Sequence, residues 1–148
     1  MTRYIEISDA NDYFAERLHT ESWDDASNTD KNKALSMATR AIERLNFLGV
    51  KAEDDQELQF PRGYDTVIPQ DIKDACCELA LTFLNGVDAD MEHENVLIQG
   101  NSFSSVSNTY NRQIAQEHVV AGIPSPTAWK MLIPYLRDAK ELSVSRAN

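Results

Sequence analysis

The chain is short of the residues that would tie it to a disulfide scaffold, a phosphate loop or a polyanion. Its two cysteines, Cys76 and Cys77, are neighbours. Consecutive residues on a helix point about 100° apart and two thiols frame no disulfide scaffold, so a reducing compartment is the reading that fits. The five glycines stand at 49, 63, 86, 100 and 122, too far apart for a P-loop or a dinucleotide fingerprint. Basic residues are outnumbered, 14 Lys and Arg against 24 Asp and Glu, for a net charge of −10 and an isoelectric point near 4.6. Residues 1–60 carry seven basic and thirteen acidic groups and residues 61–148 seven and eleven, so neither half is a basic module. Sequence-independent nucleic-acid binding draws its affinity from Lys and Arg neutralising phosphates. A DNA-gripping role is therefore disfavoured, whereas a duct through which DNA slides without sticking suits the same charge. No apolar run approaches the roughly 18–20 residues of a membrane span, and Met1–Glu6 holds no apolar stretch of signal-peptide length. No membrane association or export is expected.

What is present is ordinary globular material, 42% hydrophobic and 26% charged over 148 residues, enough for one helical domain over 1–137 and a polar tail over 138–148. Ser8–Leu18 opens with a capping residue and early acids, then spaces Ala10, Tyr13, Phe14, Arg17 and Leu18 as a helix does. Residues 30–48 repeat the pattern through Ala34, Leu35, Ala38, Ala41, Ile42, Leu45 and Leu48 up to Gly49, a natural helix terminator. The stretch 49–68 holds Pro61, Gly63 and an acidic cluster at Glu53, Asp54, Asp55 and Glu57, and reads as a loop. Pro69 then starts a third helix over 69–85, whose stripe of Ile72, Ala75, Cys76, Leu79, Ala80, Phe83 and Leu84 predicts the most buried element. An acidic turn or short helix is expected over 88–94, and an extended polar loop or hairpin over about 95–120. Ser125 and Pro126 start a last helix over 126–137, kinked at Pro134. The fold expected is mainly α, a bundle of four to five helices with that polar excursion, a C-terminal helix and the tail.

Catalytic chemistry is hard to place on these residues. His93-Glu94-Asn95-Val96-Leu97 begins like a zinc-protease helix but has Leu97 where the second histidine must stand. Asp88, Asp90, Glu92 and Glu94 alternate as a calcium loop does, yet no glycine and no final acid complete it. Cys76 lies on an apolar stripe, where cysteine packs as a small hydrophobe, and this outweighs a nucleophile served by His19, His93 or His118. No enzyme activity, no cofactor and no metal are expected. Trp23 is read as a lid over the bundle. Trp129 is balanced between packing and anchoring a partner, since aromatic side chains dominate interface energetics.

Five stretches taken in order carry a resemblance. They are Ser8–Phe14, the isolated Trp23 before the alanine-rich Lys33–Ile42, Leu58-Gln59-Phe60-Pro61-Arg62, Ile68–Leu81, and Leu132-Ile133-Pro134-Tyr135-Leu136. This set resembles the head–tail connector, or adaptor, proteins of tailed bacteriophages, a group in which some members carry a DnaT-like single-stranded-DNA-binding label. The resemblance covers about 8–85 well and 123–137 moderately. It implies a virion protein of the neck, assembled in the cytoplasm of the bacterial host. Copies would form a dodecameric ring below the portal, meet a stopper, tail terminator or other tail-side neck protein, and let double-stranded DNA pass without specific binding. Arg62 is then a candidate partner for an acid of its own or a neighbouring subunit. Trp129, Leu132, Tyr135 and Leu136, with Leu142 and Val144 of the tail, form a candidate portal-docking face. Asp88, Asp90, Glu92 and Glu94 are candidate acids of the lumen. The alternative is a single-stranded-DNA-binding protein of a phage, which needs a basic groove interleaved with aromatics. Tyr110, Arg112, Tyr135, Arg137 and Lys140 are the nearest approach to one.

Overall fold

A computed structural model describes residues 2–88, 90 and 117–137. Within them the chain forms α1 (Ile7–Ala15), α2 (Glu21–Asp24), α3 (Asn28–Glu43), α4 (Gln70–Leu84) and α5 (Pro126–Leu132), closed by a 3-10 turn at Ile133–Tyr135. Residues 117–120 are also helical. No strand occurs among the described residues, where the sole β pairing is two isolated antiparallel bridges, Phe47 with Leu136 and Lys51 with Arg62. The mainly α expectation holds.

α4 is the centre. It packs most extensively on α3 and next on α5, and it touches α1 and α2. Ile72, Ala75, Cys76, Cys77, Leu79, Ala80 and Leu81 are all buried, so the apolar stripe is wider than one face and Cys77 belongs to it. A helix apolar on so many sides must be surrounded. α3 supplies Leu35, Ala38 and Ile42, and α5 supplies Ala128 and Leu132. The buried Thr39 of α3 is satisfied locally: its hydroxyl donates to the Leu35 carbonyl at 2.9 Å and accepts the Tyr4 N–H at 3.3 Å.

Several boundaries differ from those expected, each for a visible reason. α3 starts at Asn28 because Ser27 caps it, its hydroxyl accepting the Asp30 N–H at 3.1 Å. It stops at Glu43, well before Gly49, because the backbone of 46–48 is committed elsewhere. The Leu48 N–H donates to the Tyr135 carbonyl at 2.9 Å, and the Arg137 N–H to the Asn46 carbonyl at 3.0 Å. α5 begins as expected, with Ser125 accepting the Ala128 N–H at 3.1 Å and Pro126 in the first turn. It ends at Leu132 rather than running to 137, since Leu136 must be extended to pair with Phe47 and Pro134 has no N–H to continue a helix. The hairpin expected over 95–120 is corrected at its end, where 117–120 are helical; its remainder, 95–116, lies outside the described residues.

Two aromatic sites close the bundle. Trp23, on the short α2 that periodicity does not reveal, is enclosed against Phe14 with ring centroids 4.7 Å apart, and its indole N–H donates to Asn11 Oδ1 at 2.9 Å. Phe60 plugs the other site, ringed by Phe47 at 4.7 Å, Tyr135 at 5.8 Å and Tyr4 at 6.2 Å. The Phe60-Pro61 peptide is cis.

α1 is fastened to α4 by charge. Glu78 is only 3% exposed and accepts from Arg17 Nε at 2.6 Å, Arg17 Nη2 at 2.9 Å and the Tyr13 hydroxyl at 2.6 Å. The hydrogen bond to Glu78 holds the guanidinium above its usual range. Burial, then the bond to Glu78, raises the Tyr13 hydroxyl well above the ordinary tyrosine value of 10. Burial and Glu43 do the same for Tyr4, whose hydroxyl donates to Glu43 at 2.7 Å. Because both folded-state values are raised, the stability these tyrosines contribute is whole below pH 10 and is lost as the pH climbs above it. Melting temperature should therefore fall on titration past pH 10, and fall less in Tyr13→Phe. Glu78→Ala, which strands a partly buried arginine, should cost about 3 kcal/mol, measured by denaturant unfolding.

Candidate interaction surfaces

Arg62 leaves the loop between α3 and α4 and turns back onto it. Its Nε donates to the Leu48 carbonyl at 2.8 Å and Nη2 to the Gly49 carbonyl at 2.6 Å and more weakly to that of Phe47 at 3.4 Å. Nη1 donates to the Gln59 carbonyl at 3.2 Å and to Gln59 Oε1 at 2.8 Å. The guanidinium lies about 6 Å from the rings of both Phe47 and Phe60, within cation–π range. The expected acidic partner is corrected within this subunit: the acceptors are backbone carbonyls and the Gln59 side-chain oxygen, which the fork geometry of arginine can collect from two stretches of loop at once. Gln56 completes the clasp, donating to the Leu58 and Pro61 carbonyls at 2.7 and 2.9 Å. Glu53, Asp54 and Asp55 beside it are exposed.

The candidate portal-docking face divides. Leu132 is a correction, since it is 0% exposed and belongs to the core; with the helix ending there, it faces α4 rather than a partner. Tyr135 stacks edge-on to Phe60, and its hydroxyl donates to Asp71 Oδ2 at 2.9 Å. Leu136 is half-buried in the bridge with Phe47. Trp129 is half-buried and lines a groove with Leu45, Ala121, Ile133 and Leu136, so part of it stays open to a partner. Leu142 and Val144 lie outside the described residues.

Of the candidate lumen acids, Asp88 and Asp90 are exposed; Glu92 and Glu94 lie outside the described residues. The two that are described line a groove with Met37, Arg40, Arg44 and Phe83. This brings out a surface that reading for the core leaves unseen. Lys33, Met37, Arg40 and Arg44 are all exposed and recur at helical spacing, so they form one stripe along the outer side of α3. The signal was available in the solvent-facing period of the same helix.

Cys76 and Cys77 are fully buried. Burial pushes the Cys76 thiol up to about 12 and raises Cys77 as well, so both sit as small apolar groups far from the thiolate a nucleophile requires. Among the described residues no cluster of three or more His, Cys, Asp or Glu could hold a metal ion, and no helix is long and apolar enough to cross a membrane. The aromatic rings are largely consumed within the bundle; of those described, Tyr64 alone is exposed.

Against this geometry, a model of the family described as "Putative DnaT-like ssDNA binding protein" matches residues 3–147. The chain belongs to that family. Neither a curated protein nor a solved structure matches it.

Removing the Arg62 clasp should loosen the loop without melting the bundle. Arg62→Ala is expected to cost about 2 kcal/mol, the value of losing charged hydrogen bonds whose acceptors can rehydrate. Amide exchange should rise over 47–62 while the helical circular dichroism signal holds, and Arg62→Lys should not restore protection.

Proposed function

We propose that this chain is a structural virion protein, a head–tail connector of a tailed bacteriophage. In this reading copies form a ring below the portal in the neck, joining capsid to tail-side proteins and letting the genome pass, with no catalytic step. The observation that carries it is the pairing of a strongly acidic chain with enclosed aromatics. A protein that holds single-stranded nucleic acid offers cations along a groove and open rings on which bases stack. Here the net charge is −10, and Phe14, Trp23, Phe47, Phe60 and Tyr4 are buried against one another, which leaves Tyr64 exposed and Trp129 and Phe83 half-buried among the described rings. An acidic wall repels phosphate and so suits passage better than capture. Among the five stretches that resemble connector proteins, Phe14 meets Trp23 and Phe60 meets Tyr135, whose hydroxyl reaches Asp71.

A second reading, single-stranded-DNA binding, is the one that the family description favours. It would draw on the exposed Lys33, Arg40 and Arg44, which are the densest cationic stripe among the described residues, and on Tyr110 and Arg112, which lie outside them.

Fluorescence anisotropy with labelled single-stranded and duplex DNA at low salt separates the two. The connector reading expects negligible binding of either. Tight binding of single strands that weakens steeply with added salt would put the second reading in its place.

A further inference from the structure

Half of the eight large hydrophobic side chains that stand exposed among the described residues lie in one loop, between α3 and α4: Leu48, Val50, Tyr64 and Val67. Exposed apolar residues scattered singly need no explanation. Three of these are not scattered, because the clasp joins their backbones. The Gly63 N–H donates to the Val50 carbonyl at 2.9 Å and the Ala52 N–H to the Pro61 carbonyl at 3.0 Å, on either side of the Lys51–Arg62 bridge. Arg62 Nε holds the Leu48 carbonyl. A turn closed by the Asp65 N–H on the Arg62 carbonyl at 3.1 Å leaves Tyr64 fully exposed, and Val50, paired with the residue before it, is 71% exposed.

The charges of the loop are sorted by direction. Residues 48–67 hold two cations and five acids. Both cations are half-buried and turned onto the loop itself, Arg62 onto its carbonyl acceptors and Gln59, and Lys51 Nζ onto the Gln56 carbonyl at 3.4 Å. Glu53, Asp54, Asp55 and Asp65 are exposed, and among the described residues none of them is in an ion pair. The outward face is therefore apolar at its tips and negative around them. Phosphate is repelled by such a face, and so is the same loop of a second copy, since like charges set opposite one another oppose contact. What complements it is a protein surface with an apolar pocket and a cationic rim. The clasp also fixes the backbone beneath the exposed side chains, which lowers the ordering cost of binding, and tyrosine is among the side chains that most often anchor an interface.

We infer that the Leu48–Val50–Tyr64 knuckle is a docking element for a virion protein other than this chain, one that receives Val50 and Tyr64 in an apolar pocket rimmed by Lys and Arg. The inference rests on the connector reading above and names the surface by which the ring holds a neighbour that is not a copy of itself.

Replacing Tyr64 with p-benzoylphenylalanine in the full chain, and irradiating particles assembled with it, tests the contact. The cross-link should join the chain to one other virion protein, at an apolar residue in a segment that carries Lys or Arg. With that protein purified, Val50→Ser combined with Tyr64→Ser should weaken the complex about tenfold or more. Asp54→Lys combined with Asp55→Lys should weaken it too and flatten its dependence on salt. Both double variants should keep the melting temperature of the unmodified chain, since the side chains they change are exposed. If the chain is absent from the particles, the connector reading falls and this contact with it. If the chain is present but the cross-link goes to its own copy, to DNA or to nothing, the connector reading stands and the docking element falls. An affinity indifferent to either double variant also overturns it.

Discussion

A helix whose side chains are buried on nearly every side cannot lie on a surface, and α4 is such a helix. Ile72, Ala75, Cys76, Cys77, Leu79, Ala80 and Leu81 each leave water, and the larger of them, Ile72, Leu79 and Leu81, contribute on the order of 1.5–3 kcal/mol each. The remaining elements take their places from that requirement. α3 covers one side and α5 another, and the N-terminal arm fills in with Ile5 and Phe14. Glu78 is the exception within the helix, a buried carboxylate that holds only because Arg17 and Tyr13 reach it. A lone charge in that position would be expelled or neutralised, so the ion pair fixes where α1 sits as well as how firmly it is held.

Much of this was legible in the sequence, and the parts that were not share a cause. The apolar periods of α1, α3 and α4 reveal those helices, since a stripe at 3.6-residue spacing is a local property of the chain. Ser125 with Pro126 marks the start of α5 for an equally local reason. What escaped was settled between distant segments. Residues 46–48 have helical composition yet leave the helix to pair with 135–137, a choice that neither stretch announces alone. Leu132 has the spacing of an interface residue and of a core residue alike, and only the position of α4 decides that it is buried. α2 is four residues long, too short for any period to register.

The surfaces were less legible than the core. Arg62 is an isolated cation beside Phe60 and Pro61, but apart from the Gln59 side chain its acceptors are backbone carbonyls, and these leave no trace in a sequence. The stripe of Lys33, Met37, Arg40 and Arg44 is as periodic as the core stripe of the same helix, but apolar spacing marks only the opposite side.

The junction of Asn46–Leu48 with Tyr135–Arg137 also sets how the fold carries load. Beyond Arg137 the chain is anchored first by two backbone hydrogen bonds of an antiparallel pair, and behind them stand Arg62 and the Phe60 plug. A pull on the C-terminus is thus met first by those two bonds and by Tyr135, held on Phe60 and Asp71. Once they part, the load passes along the chain to α5, so this junction yields before any helix leaves its place on α4.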